Sequence, residues 1–444
     1  MTDITTSATD ADGERRFWTL ATVVLGSLAV LKGLHLPSSY TATQVQVNYS
    51  FGFVRRGLLG EALSTIGIPI HRYDVHVVVS AVLLATMVLL LALWVYRSRA
   101  MLVADGAACA VFFASFALTF LVYIIGYFDI PLIILSVLAV LPQGFGLRLL
   151  TVFVTGAVGM LIHEMYVITF LPVTLLSLVL PAFKAQRPVR PVLQLAGFLV
   201  VLVTLMAIAL VVVRTPWTPE AVEQMKASIL ARVDFPIRAD FFGFMTRSAR
   251  DNLAMMMNIF LRSGFVPPEL PTPTAFLQTQ VWCLLLFGPA IAFFLWLSIR
   301  IIAVSLGHRR LASAVCAAAT LAPLSAHLVA LDFYRWYMLA TFNAFMVMTL
   351  VHRHCLDKPI WSGAAGVGIR RVAIIVIVLN VASSNVGWFP APQFHVALFP
   401  FAEHWDSFRA IVKNGLTRST ECDEPSPDIE IERLRVRVCL FPAR

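Results

Sequence analysis

Apolar runs long enough to cross a membrane recur along most of this chain. A helix needs about 20 apolar residues to span a hydrocarbon core of about 30 Å. Of the 444 residues, 59% are hydrophobic and only 13% are charged, whereas about a quarter are charged in an ordinary soluble domain. The sequence therefore predicts an all-α fold, a polytopic transmembrane helix bundle that forms one integral unit.

By this length criterion we predict about eleven spans. The stretches 104–142 and 147–182 would form helices of roughly 58 and 54 Å, too long for one crossing. We expect each to fold back at a polar interruption, at Gly126 in the first and at His163 and Glu164 in the second. The predicted spans are 17–35, 77–96, 104–124, 127–142, 147–162, 165–182, 192–213, 281–302, 311–331, 335–351 and 371–388.

Basic residues predict the orientation. With the amino terminus in the cytoplasm, the connections rich in Lys and Arg also lie there, as the positive-inside rule expects. The outer turns 125–129 and 163–164 contain no Lys or Arg. We expect a multi-pass protein of a bacterial inner (plasma) membrane, with 1–16 as a cytoplasmic tail, 17–388 as the membrane domain and 389–444 as an extracytoplasmic cap. The cytoplasmic connections carry Arg97, Arg99, Arg148, Lys184, Arg187, Arg190, Arg309, Arg310, Arg353, Lys358, Arg370 and Arg371.

Two cysteines, Cys422 and Cys439, lie in the polar tail after the last predicted span. An oxidising extracytoplasmic compartment would allow them to form a disulfide bond. The alternative is two unpaired thiols, and the sequence favours neither.

Two long loops are predicted on the outer face, 36–76 and 214–280. The second contains a helical apolar face, which predicts an amphipathic helix on the membrane surface. A further helix is predicted over 240–262, where adjacent Met residues suit either a polyprenyl tail or packing against other helices. The apolar face consists of Val222, Met225, Ile229, Leu230 and Val233.

Four short stretches place ionisable residues where apolar segments meet, and all four are predicted on the extracytoplasmic side. Charge near hydrocarbon costs several kcal/mol unless it is paired or hydrated. We therefore predict that these residues line one site. The stretches are 48–61, 126–129, 163–164 and 332–337.

The first stretch, NYSFGFVRRGLLGE, contains adjacent arginines. Arg55 and Arg56 offer planar donors for a phosphate or pyrophosphate, and Tyr49 is predicted to contact the same substrate. The alternatives for the arginines are contact with lipid headgroups or an ion pair with Glu61.

Carboxylates and one histidine are the candidates for acid-base chemistry. Asp129 suits either a general base or a favourable charge at a helix start. Glu61 is either a base or a partner for arginine. His163 and Glu164 suggest hydrogen bonding or proton transfer, and their adjacency matches no metal motif, so neither a metal nor a cofactor is predicted.

The fourth stretch, DFYRWY, pairs opposite charges three residues apart. Asp332 and Arg335 share one helical face, which favours either a structural ion pair or substrate binding. Tyr337 and its aromatic neighbours suit an interfacial belt or stacking on a sugar ring.

In its layout the chain resembles the polytopic GT-C glycosyltransferases, with an inside amino terminus, a long first outer loop, acidic residues in the outer loops and basic residues later. The resemblance implies transfer of a sugar from a polyprenyl-phosphate donor to a glycan or lipid-linked acceptor. It assigns the phosphate to Arg55, Arg56 and Arg335 and an orienting role to His163. The base it implies is Asp129, Glu61 or Glu164. One departure is that residues 36–60 contain no acid, where the family usually carries an aspartate.

Two other functions remain open. A polysaccharide polymerase or ligase would use pyrophosphate-linked oligosaccharides, and a lipid-linked-saccharide flippase or secondary transporter would also need intramembrane charge. Transporters usually hold such charges near the midplane, whereas here they lie at one end. Membrane lipid is an expected partner. Nucleic acid is not, because the basic residues are spread over the loops.

Overall fold

The structure is a computed structural model. It describes residues 8–34, 36–97, 99–184, 189–213, 217–246, 249–261, 273–306, 309–330, 332–355 and 363–381. All regular structure in these ranges is helical, with no strand, which confirms the predicted all-α class. The predicted cap at 389–444, with Cys422 and Cys439, lies outside the described residues. The α-helices are α1 Ala8–Gly33, α2 Ser39–Val45, α3 Leu58–Thr65, α4 Tyr73–Arg97, α5 Arg99–Ala114, α6 Phe116–Tyr123, α7 Asp129–Val140, α8 Phe145–Ile162, α9 Tyr166–Thr169, α10 Leu171–Lys184, α11 Val189–Val213, α12 Pro219–Leu230, α13 Ala239–Thr246, α14 Ala249–Leu261, α15 Pro273–Ser305, α16 Arg309–Leu321, α17 Phe333–Cys355 and α18 Gly363–Asn380.

Long apolar helices identify a membrane protein. Within the described ranges six are long and apolar enough to cross a membrane, or seven if α5 and α6, bent by 49° at Ser115, form one span. Large apolar side chains such as Leu20 of α1 and Val203 of α11 point away from the protein, with 63% and 66% of their surface exposed. Lipid rather than water is the environment that such faces require. The six candidate spans are Gly13–Gly33, Tyr73–Tyr96, Phe145–Ile162, Tyr166–Phe183 (α9 with α10), Leu277–Ser305 and Arg310–Leu328 (α16 with the 3₁₀-helix Ala322–Leu328).

Helix α17 occupies the centre of the bundle, because every residue from 333 to 351 is buried. Its neighbours show which way the chain runs. The ring of Phe112 in α5 stacks on Phe345 at 4.3 Å, and that of Phe120 in α6 lies 6.2 Å from Tyr334. Helices α5 and α6 therefore run antiparallel to α17.

Helix α7 returns alongside α17 in the parallel direction. Asp129 contacts Arg335 near the start of both helices, and Arg353 donates to the Val140 carbonyl at 3.0 Å near their ends. The chain thus reverses between α6 and α7. Gly126 lies in this turn with a φ of 88°, which favours glycine. The predicted fold-back at Gly126 is confirmed.

The second predicted fold-back is also present. Arg148, near the start of α8, donates from Nη1 to the Ser177 carbonyl in α10 at 2.9 Å. This contact requires α10 to run back along α8. The chain leaves helical geometry at His163, whose backbone is extended, and a polar interruption therefore marks the reversal, as predicted.

Two segments that were predicted as outer loops contribute a second, smaller core. In α12 the predicted apolar face is buried at Val222, Met225 and Ile229, whereas Leu230 is 53% exposed. The predicted placement of this face on the membrane surface is wrong, because protein side chains cover it. In the region 240–262 the described residues are helical over Ala239–Thr246 (α13) and Ala249–Leu261 (α14). The small core comprises Val47, Val54, Val222, Met225, Ile229, Phe241, Phe242 and Met245.

Candidate functional site

The structure brings the four charged stretches together at one end of the bundle. Arg56 from the first stretch pairs with Glu164 from the third. Arg335 from the fourth pairs with Asp129 from the second. The opposite end holds Arg148, Arg353 and the 140–143 connection, whose carbonyls the two arginines bind.

Arg56 and Glu164 form a bidentate ion pair. The Arg56 Nε lies 3.0 and 3.2 Å from the two carboxylate oxygens, and Nη2 lies 2.5 Å from Oε1. Burial alone would raise the pKa of Glu164, but the Arg56 guanidinium outweighs burial and holds that pKa well below its usual range. Glu164 is therefore a carboxylate at neutral pH.

The Arg56 backbone has a φ of 67°, in the left-handed region. This conformation costs roughly 1–2 kcal/mol for a residue with a side chain. Among the described residues Arg56 is the one non-glycine with positive φ. Such strain is typical of functional sites, where the surrounding structure enforces it.

Glu61 and Tyr49 support the loop that carries Arg55 and Arg56. The Glu61 carboxylate accepts the Tyr49 backbone N–H at 3.0 Å, and the Tyr49 ring lies against Gly57. Neither Glu61 nor Tyr49 is among the described residues that line the cleft between the arginines and α13. Both residues thus support the loop, and their predicted roles, Glu61 as base and Tyr49 as substrate contact, stay predictions.

His163 shapes the corner between α8 and α9. Its Nδ1 accepts the Met165 backbone N–H at 3.1 Å, so the ring proton lies on Nε2. Burial, followed by the charge of Arg56, lowers the pKa of His163 well below its ordinary value. This neutral imidazole fixes the turn that presents Glu164.

Asp129 and Asp332 share Arg335. The Arg335 Nε lies 2.7 Å from Asp129, and its Nη1 lies 3.6 Å from Asp332. The Asp129 side chain is 2% exposed and that of Asp332 is 47% exposed. The guanidinium also lies over the rings of Tyr127 and Trp336, at 5.6 and 5.1 Å. Asp129 is thus enclosed by a cationic partner, whereas Asp332 faces outward.

Tyr337 is not brought to the arginines. It follows Arg335 by two residues, about 200° around the helix. Its hydroxyl donates to Gln280 at 3.0 Å and its ring stacks on Phe287. Its predicted contact with substrate therefore has no support from this geometry.

A small cleft opens beside the arginines. One wall carries Arg55, Arg56 and Glu164, and the other carries Phe241 and Met245 of α13. Arg55 joins the walls, since its Nη2 donates to the Met245 carbonyl at 3.0 Å. As it stands, the cleft has room for little more than one water molecule, so any larger ligand requires the walls to separate.

The apolar wall was missed from the sequence. Phe241 and Met245 are four residues apart, a spacing that places them on one helical face, and this signal was available. The Tyr40 ring completes that side, stacked on Tyr127 and edge-on to Phe241, each at 5.8 Å. The described ranges contain no group of three or more His, Cys, Asp or Glu side chains placed to hold a metal ion.

No protein family, curated protein or solved structure matches this chain. The resemblance to GT-C glycosyltransferases therefore stands on layout. Function is inferred from the chemistry of the site, because a fold alone does not assign it.

Proposed function

We propose that this membrane protein is a glycosyltransferase that moves a sugar from a polyprenyl-phosphate donor to a glycan or lipid-linked acceptor. The cleft is the observation that carries the proposal. Arg55 and Arg56 suit a phosphate, and Phe241 and Met245 suit the first isoprene units of its chain. One ligand that presents both chemistries side by side is a prenyl phosphate.

The proposed topology has about eleven crossings, with the site on the extracytoplasmic face. Helix packing supports the placement of the site at the end opposite to the amino terminus. Gly26 of α1 approaches Phe113 and Gly33 approaches Val122, so α1 runs parallel to α5 and α6. The amino-terminal end of α1 lies beside α18, where Arg370 binds Glu14 at 2.7 Å. The amino terminus and the basic connections thus share one end, and the charged site occupies the other.

In the proposed reaction, the two arginines stabilise the charge that develops on the departing phosphate. The acceptor hydroxyl gives its proton to a carboxylate, its oxygen bonds to the anomeric carbon, and the bond from that carbon to the phosphate oxygen breaks. Asp129, first in the predicted order of bases, is enclosed by Arg335. Asp332 is the most exposed of the three carboxylates that pair with the site's arginines, and it takes the role of base in this proposal.

The test is transfer of radiolabelled sugar from synthetic polyprenyl-phosphate donors by the purified protein. Arg55→Ala/Arg56→Ala should abolish transfer, and Asp332→Asn should reduce it by about 10²–10⁴-fold. Arg72→Ala is the matched control, because Arg72 is an exposed arginine at the same end that pairs with Asp74.

Three other results would reject the proposal. Transfer from pyrophosphate-linked donors alone would favour a polymerase or ligase. Movement of lipid-linked saccharide across liposomes without transfer would favour a flippase or transporter. Full activity in the double arginine variant would show that Arg55 and Arg56 do not bind the phosphate.

A further inference from the structure

We propose that Glu164 occupies the phosphate position of Arg56 and that the phosphate of the ligand displaces it. The inference rests on the part of the proposed function that seats a phosphate at Arg55 and Arg56. In this arrangement Glu164 is an intramolecular competitor of the substrate, a role distinct from the base or hydrogen-bonding group predicted from sequence.

The geometry of the ion pair is the first support. The Arg56 Nε and Nη2 both point at the Glu164 carboxylate. These are donors that a bidentate phosphate would use, and a carboxylate and a phosphate cannot fill the same fork at once. The ion pair also lies at the cleft, since both side chains line it.

The backbone around the ion pair is the second support. The left-handed conformation of Arg56 aims its guanidinium into the cleft at a cost in strain. The Glu164 backbone does not depend on the ion pair for its position, because the hydrogen bond from the Met165 N–H to His163 Nδ1 fixes the turn. The Glu164 side chain, 14% exposed, can therefore rotate toward the opening while helix α8 and the turn stay in place.

The charge balance is the third support. Glu164 offers one negative charge, and the charges of both Arg55 and Arg56 act on it. A sugar-linked donor, which is a phosphodiester, offers one charge and two free oxygens to the same two guanidinium groups, and the prenyl phosphate left after transfer offers up to two charges and three free oxygens. Each also adds apolar contact with Phe241 and Met245, which Glu164 cannot make. The ligand therefore has the stronger set of interactions.

Binding of geranylgeranyl phosphate to the full-length protein in phosphatidylcholine nanodiscs tests the exchange. Removing an internal competitor raises the fraction of protein that is competent to bind. Glu164→Gln should therefore bind about tenfold more tightly than wild type, and Glu164→Asp should fall between them. Arg56→Lys loses the fork and should bind about tenfold more weakly. Asp74→Asn, which removes a partly exposed carboxylate at the same end, controls for general charge and should change binding little.

The outcomes separate the two proposals. Wild-type binding with no gain in Glu164→Gln over Asp74→Asn would overturn the exchange and leave the phosphate site intact. Absence of binding in every variant, or equal binding in Arg56→Lys, would overturn the phosphate site. Geranylgeraniol and inorganic phosphate show which part of the ligand is bound. If geranylgeraniol binds as tightly as geranylgeranyl phosphate, apolar contact alone accounts for binding and the exchange is rejected. Binding of inorganic phosphate that Glu164→Gln also tightens supports the exchange with a free anion.

A structural lock makes the opposite prediction. If Glu164 only holds the loop, Glu164→Gln should lower the unfolding temperature and weaken binding together. The exchange predicts tighter binding even where the unfolding temperature falls, so the sign of the change in affinity decides between them.

Discussion

Asp129 and Arg335 form a buried ion pair that joins the first residue of α7 to the first turn of α17, with 2.7 Å between Oδ2 and Nε. Removing one partner strands the other charge, which typically costs about 3–5 kcal/mol. We expect Asp129→Asn to lower the free energy of unfolding by about 3 kcal/mol, since Asp332 still offsets part of the charge. Asp129→Asn/Arg335→Met should recover most of the loss. Thermal unfolding in detergent measures both, and a single variant as stable as wild type would contradict the prediction.

Asn343 should stabilise the bundle centre. Its Nδ2 donates at 2.6 Å to the Thr169 carbonyl, at the break between α9 and α10, and at 3.3 Å to Ala319. Asn343→Leu removes this donor from a fully buried position and should cost about 1–3 kcal/mol. Thr349→Val on the same helix is the control, because among the described residues the Thr349 hydroxyl donates only to Phe345 of its own helix. Equal melting temperatures for the two variants would refute the assignment.

Gly60 allows α3 to pack against α2. A Cβ there would collide with the carbonyl oxygens of Val45 and Val47, which are backbone atoms and cannot rotate away. Gly60→Ala should therefore shift α3 and lower both stability and prenyl-phosphate affinity. In Gly146→Ala the Cβ meets open space, and helix propensity favours the change by up to about 1 kcal/mol. The two variants should thus differ in sign, as measured by unfolding temperature.

His163 should make the fold sensitive to mild acid. Because burial and Arg56 lower its pKa well below 6.5, the unfolded chain takes up a proton that the folded protein excludes. Stability is thus complete above pH 6.5 and falls below it, by at most about 1.4 kcal/mol per pH unit. His163→Gln should flatten this dependence between about pH 7 and about pH 5. The exposed His71 supplies the control, and a His163→Gln slope like that of His71→Gln would count against the prediction.

Cysteine labelling tests the proposed topology. Ser50 is exposed at the site end and Gln143 at the opposite end. A membrane-impermeant maleimide should label Ser50→Cys in intact cells and Gln143→Cys only after permeabilisation. The reverse pattern would invert the proposed orientation. Cys422 and Cys439 are replaced by Ser in both variants, and the remaining four cysteines are buried: Cys109, Cys283, Cys316 and Cys355.

The reversals at Gly126 and His163 were predictable because each interrupts an apolar stretch too long for one crossing. The partner of Arg56 was not. Glu61, five residues away, was the nearest candidate, but the left-handed Arg56 backbone directs the side chain to Glu164, and Glu61 binds the Tyr49 N–H. Sequence proximity carries no information about either contact.

The enclosure of Asp129 and the burial of α17 on all sides also depend on packing. The sequence of α17 reads as an ordinary span bordered by charge. Only the neighbouring helices reveal that Arg335 closes over Asp129, which moves the proposed base to Asp332. Similarly, three adjacent Met residues in α14 attracted the prediction for the lipid tail, whereas the cleft is lined by Phe241 and Met245 of α13.

Helix α17 contacts α7 near both ends. Arg335 forms an ion pair with Asp129, and Arg353 donates to the carbonyls of Val140 and Leu141. These two contacts prevent either helix from sliding along the other, so the two helices form one rigid unit. The cleft beside Arg55 and Arg56 must widen to admit the proposed lipid-linked sugar. We therefore expect the displacement to fall to α13 and the short helices beside it, so that the proposed substrate enters as these helices move over a stationary bundle.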